Sequence, residues 1–410
     1  MPPCKPKALI LIAAILAGTV GPVCAQSLEA PTEEPPNDAL LQLGPMTLRP
    51  FFNIANAGYD SNVFSRNPQQ QSSDVTTMIT PAVNGWLRSA HAKITASSGL
   101  RFNYYQRYAD LRSVDTANSA NVQLPLNRII PWASGTFTNS LQSTNVEIDA
   151  PVRSHESNLN AGVDVKVTER LTAGAYGIRS GVNFNVDKSL YFGVNLGQTL
   201  NRTSLGEGAR VQYALTPYTT LGFQAEQRMD RFEFLTANNS KNFTLAPFVE
   251  FSPSAVISGR ASLGFQRRQF DVGGQPTLNG STAAVNLRYV MLGQTEFAVD
   301  VEHALQYSYF SLVYGYVGTQ GMLTVTERFG ETWDLSGGVG RARVGYQRIP
   351  NSPPPSPDEN VNMADAGVGY RVGKTRTGMQ VEYRARTTDT PNPLRTYQRF
   401  RIGANLTYVF

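Results

Sequence analysis

Phe400-Arg401-Ile402-Gly403-Ala404-Asn405-Leu406-Thr407-Tyr408-Val409-Phe410 is the stretch on which the fold class turns. Its even positions, Phe400, Ile402, Ala404, Leu406, Tyr408 and Phe410, are all apolar, whereas Arg401, Gly403, Asn405 and Thr407 between them are polar or small. Side chains on a strand alternate faces with period two, so one face suits hydrocarbon and the other suits water. The sequence then stops on an aromatic residue with no polar tail. A bacterial outer-membrane barrel closes with such a strand, its apolar face towards lipid.

The N-terminal segment agrees. Lys5 and Lys7 form a short basic region, Ala8 to Val20 is uncharged and apolar, and Val23-Cys24-Ala25 supplies small residues for cleavage after Ala25. Residues 1–25 are therefore expected to be a signal peptide, since the run is short for a span of about 20 residues. Gly21 and Val23 fit a lipobox around Cys24 poorly. Both cysteines, Cys4 and Cys24, fall in that segment, so the mature chain is expected to hold no disulfide, thiolate metal site or cysteine nucleophile. Residues 26–46, rich in Pro, Glu and Ala, read as a flexible periplasmic arm, with Asp38-Ala39-Leu40-Leu41 as a possible helical turn or small plug. Residues 47–410 read as the barrel.

Composition supports this division. Of 410 residues 41% are hydrophobic and only 16% charged, with 18 Tyr and 20 Phe, and mean hydropathy is −0.26. No later segment is an apolar run of span length, which argues against helical spans and fits a barrel with a polar interior. Loss of Lys5 and Lys7 lowers the net charge from +5 to +3, because no acidic residue precedes Glu29. That balance gives no reason to expect a nucleic-acid partner.

From Thr47 onwards the pattern is one of hairpins of roughly 40 residues, paired strands of about 10 residues with their turns. Leu159, Ala161, Val163, Val165 and Val167 alternate with Asn160, Asp164 and Lys166, and Ile257, Ala261, Leu263 and Phe265 with Arg260, Gln266 and Arg268. Ala283 to Met291, Phe297 to Tyr307 and Met379 to Tyr383 alternate likewise. Short turns are expected at Ser89–Ala92, Leu126–Pro131, Thr168–Arg170, Thr216–Tyr218, Ser252–Ala255, Leu292–Thr295, Glu327–Glu331 and Gly373–Thr377. Longer polar loops are expected at Asp60–Ser73, Ala109–Val114, Ser143–Arg153, Asn185–Thr203, Leu235–Ser240, Asp271–Gly280, Phe310–Leu312, Pro350–Glu359 and Asp389–Leu394. Nine loops and eight turns imply an all-β, transmembrane antiparallel barrel of eighteen strands with both termini periplasmic. Sixteen is the alternative, were Asn185–Thr203 to absorb a strand. Pro353, Pro354, Pro355 and Pro357 cannot sit in a paired ladder and mark an exposed loop. Tyr104, Tyr105, Tyr108, Tyr307, Tyr309 and Tyr314 near strand ends read as an interfacial girdle rather than as sugar-stacking platforms.

The polar parity of the C-terminal strands collects Arg260, Arg268, Arg288, Arg376, Arg384, Arg386, Arg399 and Arg401, with Asp300, Glu302 and Glu382. These are the candidate lumen-lining residues. Excess arginine favours anions and binds carboxylate, phosphate or sulfate in forked geometry, although the same residues could simply pair and fill the interior. The apolar run Leu190-Tyr191-Phe192 makes Asn185–Thr203 the best candidate for a loop that folds into the lumen. No catalytic motif, zinc spacing or cofactor-binding loop occurs, and no cofactor is expected. His303 with Ser308 or Ser311 is the one pairing that a lipid-modifying enzyme could use, and it lacks a third member.

Two further stretches carry a family resemblance: Gly58-Tyr59-Asp60-Ser61-Asn62-Val63-Phe64, and Arg210-Val211-Gln212-Tyr213-Ala214-Leu215-Thr216-Pro217-Tyr218-Thr219-Thr220-Leu221. With the signal peptide and Tyr408-Val409-Phe410, the chain resembles the putative beta-barrel porin 2 family from Thr47 to Phe410. Tyr408 and Phe410 resemble the signal by which the barrel assembly machinery recognises such chains. The family resemblance implies an association with exopolysaccharide export. Asp60-Ser61-Asn62 reads locally as a strand-ending turn, with a rim cation site as the sharper alternative. The expectation is thus a non-catalytic conduit in the bacterial outer membrane, surrounded by outer-membrane lipid, for exopolysaccharide or another anionic solute. A periplasmic polysaccharide exporter could dock beneath it. A closed scaffold barrel and an outer-membrane lipid-modifying enzyme are the rivals.

Overall fold

The structure, a computed structural model, describes residues 41–187, 189–310, 312–349, 358–388 and 394–410. The signal peptide, most of the arm, Ser311 and the proline-rich stretch lie outside them. The barrel strands, in chain order, begin with β1 (Met46–Asp60), β2 (Asp74–Arg88), β3 (Lys93–Tyr105), β4 (Ser113–Gln123), β5 (Ile129–Gln142) and β6 (Val152–Lys166). They continue through β7 (Leu171–Phe184), β8 (Arg202–Thr216), β9 (Thr219–Phe232), β10 (Ser240–Phe251), β11 (Ile257–Phe270) and β12 (Leu278–Met291). The last six are β13 (Thr295–Gln306), β14 (Val313–Phe329), β15 (Trp333–Arg348), β16 (Glu359–Val372), β17 (Thr375–Thr388) and β18 (Tyr397–Val409). Each pairs antiparallel with its neighbours, and β1 pairs with both β2 and β18, so eighteen strands close the sheet.

Closure follows from the chemistry of the surroundings. In hydrocarbon every backbone N–H and C=O needs a partner, and a sheet meets that demand only without an edge. The outward faces carry exposed Leu205, Val211, Phe223, Leu263, Phe265, Leu335 and Phe400, which suits lipid contact. No helix among the described residues is long and apolar enough to cross a membrane. Eight short turns lie at one end and nine loops at the other, with the start of β1 and the end of β18 at the turn end. The sixteen-strand alternative fails, because the described residues of 185–201 hold only a two-residue hairpin and one helical turn. Leu41–Leu43 folds back on Met46–Leu48, so the first hairpin begins inside the segment expected to be arm.

The closing seam is tight. A register shift between Ile54 and Ala57 leaves Asn56 bulged with φ 52°, its amide donating to Asn405 Oδ1 at 3.0 Å. Opposite the bulge the backbones approach so closely that a Cβ at Gly58 would lie 2.1 Å from the Ile402 carbonyl oxygen. At the loop end the seam is pinned by Asp60, which accepts from Arg399 and lies 3.4 Å from Arg401 Nε, while Arg401 also reaches Glu382 at 3.0 Å. Asp60 Oδ1 further accepts from the Asn62 amide, and Asn62 Nδ2 donates to the Gln398 carbonyl. Asp60 and Asn62 thus have the structural role, not that of a cation site. Gly58→Ala should lower the unfolding midpoint in urea by the equivalent of about 1–3 kcal/mol, the usual cost of overpacking; an unchanged midpoint would show that the seam has room to give.

Candidate functional site

The loop-side mouth is where distant parts of the chain meet. The third loop, 143–151, leaves β5 and, instead of standing in solvent, buries Val146, Glu147, Ile148 and Asp149 completely or nearly so. Asn145 Oδ1 accepts from the Ile148 amide at 2.7 Å and Ser143 Oγ donates to the Ile148 carbonyl at 2.8 Å, which holds the turn. Val146 packs with Val313, Tyr316, Val344, Tyr346 and Val361. Those residues stand on β14, β15 and β16, about half-way round the barrel from β5. Ile148 packs on the other side with Phe184, Tyr191, Leu196, Leu200, Tyr307 and Tyr309. The loop therefore bridges the mouth between two apolar clusters. Asn185–Thr203 folds inward as its Leu190-Tyr191-Phe192 run suggested, with Tyr191 buried and Leu190 and Phe192 exposed.

A buried ionic network locks the bridge. Arg395 forks onto Glu359, with Nε and Nη2 each 2.8 Å from a carboxylate oxygen, and donates to Tyr191 Oη at 2.5 Å and the Glu147 carbonyl at 2.9 Å. Arg386 pairs with the same Glu359, lies 3.0 Å from Asp149 and donates to the Val146 carbonyl. Tyr191 donates to Asp149 at 2.6 Å. Glu147 accepts from the Ser308 hydroxyl and from the Tyr309 amide at 3.3 Å. Forked guanidinium–carboxylate bonds are among the strongest available, and removing one member of a buried set typically costs about 3–5 kcal/mol.

The carboxyls divide in character. Burial pushes Asp149 upwards, but Arg386 and Arg395, helped by Tyr191, outweigh it and hold the group below its ordinary range. Burial also pushes Glu147 up, to about 8, and there the Ser308 hydrogen bond and the attraction of Arg395 offset only part of the cost. With Glu147 protonated, two guanidiniums face two carboxylates and the network is electrically balanced.

Below the mouth, the sequence-selected residues point inward and are largely engaged. Arg376 pairs with Asp334 at 2.8 Å, Arg399 with Asp60, and Arg401 with Asp60 and Glu382. Arg260 donates to Gln224 at 2.7 Å and lies 3.8 Å over the Phe248 ring. Arg268, buried, covers Tyr307 at 3.7 Å and donates to Asn242 and the Leu305 carbonyl. Asp300 accepts from Asn286, two residues from Arg288 on the same face, and Glu302 accepts from Gln320 at 2.8 Å. Arg384 stands directly opposite Arg399 in the β17–β18 register. Tyr408 and Phe410 stack edge to face on the outward face at 4.9 Å, with the Phe410 amide donating to the Pro50 carbonyl.

Several expectations are corrected. Tyr105, Tyr307 and Tyr309 turn inward and are buried, so they do not belong to the interfacial girdle: Tyr105 shares the inward parity of Asn103 within its strand, while Tyr307 and Tyr309 lie past the last ladder position, where parity no longer fixes direction. His303 faces outward between Ser281 at 3.1 Å and Thr319 at 2.7 Å, whereas Ser308 is buried on Glu147, so those two do not pair; Ser311, the other candidate, lies outside the described residues. The interior also holds an ionic pair that sequence reading passed over, Arg210 with Asp164 at 3.0 and 2.5 Å, stacked over Trp132. Glu147, Asp149, Glu359 and Arg395 were missed altogether. Their one available signal was Val146 and Ile148, apolar residues within an otherwise polar loop. No group of His, Cys, Asp and Glu among the described residues is arranged to hold a metal.

An eighteen-stranded closed barrel with inward polar faces is the architecture of outer-membrane porins. The chain belongs to the putative beta-barrel porin 2 family, which matches residues 41–410. The molecule is accordingly a porin-like barrel of the bacterial outer membrane. No curated protein matches. Similar solved structures include OccK2 (OpdF) of Pseudomonas aeruginosa, at 10% identity and TM-score 0.49, over 88% of this chain and 97% of that one. A BenF-like porin of Pseudomonas fluorescens Pf-5 is similar at 10% identity and TM-score 0.48, over 90% and 99%. The FrpB iron transporter of Neisseria meningitidis (F5-1 variant) is similar at 11% identity and TM-score 0.43; 85% of this chain is covered but only 64% of the length of that transporter.

The Glu147 carboxyl makes the bridging of the mouth depend on pH. Its pKa in the closed mouth exceeds the ordinary 4.5, so closure holds the proton that an opened, hydrated loop would release. Closure is therefore undiminished below the ordinary range, weakens as pH rises towards about 8 and levels off above it. The slope is at most about tenfold per pH unit for one proton. Asp149, held low, titrates outside this window. In planar bilayers the open fraction should rise from pH 5 to pH 8, and Glu147→Gln should flatten that dependence. Equal slopes in the two proteins would remove Glu147 from the account.

Proposed function

We propose that the barrel is a conduit for anionic solutes, closed at its loop-side mouth until the third loop is displaced, and that exopolysaccharide is its cargo. The observation that carries the anionic preference is Arg384 standing directly opposite Arg399 beneath the mouth, flanked by Arg386 and Arg401 on the same inward face. Carboxylates of the wall and loops hold several of these guanidiniums in place, and a dense group of forked donors on one stretch of the inner wall suits weak, repeated contact with passing anions. The exopolysaccharide assignment rests on the family resemblance, and a hydrated path with weak, repeated guanidinium contacts suits an acidic polymer.

The same reading assigns the loop end to the cell exterior and the turn end to the periplasm, where a polysaccharide exporter would dock. Tyr408 and Phe410 would serve recognition by the assembly machinery. No catalytic step is invoked. A closed scaffold barrel is the second reading, favoured by the bridged mouth, and it differs in predicting no current under any condition.

The full chain in planar bilayers across a salt gradient should give an anion-selective reversal potential once the mouth is open. Arg384→Gln with Arg399→Gln should move that potential at least half-way to zero. An unmoved potential would locate selectivity elsewhere, and a silent barrel at every pH would favour the scaffold.

A further inference from the structure

We propose that the outward face of β9, β10 and β11 carries a binding site for a multiply phosphorylated glycolipid of the outer leaflet, built from Arg231, Lys241 and Arg267. All three are exposed and lie on the lipid-facing parity of consecutive strands. Lys241 pairs in register with Met229 and Gln269, which places both arginines diagonal to it, Arg231 two residues towards the loop end on β9 and Arg267 two residues towards the turn end on β11. Diagonal neighbours of this kind lie about 7–8 Å apart, close enough for like charges to repel.

Local carboxylates do not resolve that repulsion. Arg231 is held by Asp271 at the loop rim, and Glu233 accepts from Asn201. Among the described residues neither Lys241 nor Arg267 has an ion pair. Elsewhere on the outward rim Arg343 is matched by Asp358 and Arg341 is hydrogen-bonded to Asn360, whereas here two cations without an ion pair stand diagonal to each other.

Position along the strands identifies the missing anion. Phe243 stands level with Arg267, and on the turn side of that level the same parity is apolar, with Leu245, Leu263 and Phe265 outward. A cation on the lipid face costs about 2–4 kcal/mol at mid-bilayer and falls to about 0–1 near the interface, so these side chains belong at headgroup level with acyl chains along the aromatic residues below. Arg231 and Arg267 are two strand spacings apart across the sheet and four residues apart along it, about 17 Å between backbones. One phosphate cannot span that distance, which favours a headgroup bearing two or more over an ordinary phospholipid. This choice rests on the loop end facing outward, as proposed above; the contact chemistry does not.

The test is lipid retention by the full barrel, refolded in detergent, offered bis-phosphorylated lipid A, its dephosphorylated form or phosphatidylglycerol, and measured by native mass spectrometry. The parent should retain one bis-phosphorylated glycolipid that Arg231→Gln, Lys241→Gln, Arg267→Gln loses by at least tenfold. Lys241→Arg should keep it, and heat-modifiable gel mobility should confirm that each variant is folded. Equal retention by the triple variant, or of the dephosphorylated form, would overturn the site. Preference for phosphatidylglycerol through the same three residues would overturn the outer-leaflet assignment and point to the opposite orientation.

Discussion

Everything in this molecule depends on the demand that no backbone polar group be left unpaired in hydrocarbon. Eighteen strands meet it only because β1 finds β18, so the seam between them decides whether there is a barrel at all. Its chemistry is correspondingly close. Gly58 permits backbone contact that no side chain would allow, and Asp60 ties the first strand to Arg399 and Arg401 of the last. With no sheet edge left over, the inward faces are free to carry charge.

The second constraint is that charge placed inside must be answered. Along the wall the answers come from neighbouring strands, as in Arg376 with Asp334 or Arg210 with Asp164. At the mouth they come from loops. Arg386 and Arg395 gather Glu359 from the wall and Asp149 from the third loop, and their hydrogen bonds to the Val146 and Glu147 carbonyls hold that loop across the opening. The loop is fixed by buried ionic bonds and apolar packing together, yet one of its carboxyls, Glu147, is costly to ionise there. A bridge built this way is firm but weakens as pH rises, which suits the gate proposed for it.

How far the sequence disclosed this depends on distance along the chain. Strand number and face were legible, because alternation and turn residues act over a few positions: Phe400 to Phe410 alone separates outward Phe400 and Tyr408 from inward Arg401 and Thr407. The same local rule put Arg384, Arg399 and Glu382 on the inner face. Partners were not legible. Arg395 lies 248 positions from Glu147, and nothing local links them. Parity also loses meaning beyond a strand's last ladder position, which is why Tyr307 and Tyr309 read as girdle residues although they pack under the third loop. Loop insertion was half legible, since 185–201 advertised itself through three consecutive apolar residues and 143–151 did so only through Val146 and Ile148.

The most direct test of the central claim, a pore closed by its third loop, is to tether that loop. Val146 and Val344 belong to one apolar cluster and can each be replaced by cysteine in a chain whose only native cysteines are Cys4 and Cys24. Single-channel current would be recorded before and after cleavage of a short, reducible crosslink between the two positions. A barrel that is silent while tethered and conducts once released is the expected result. Equal current in both states would mean that the third loop does not close the path.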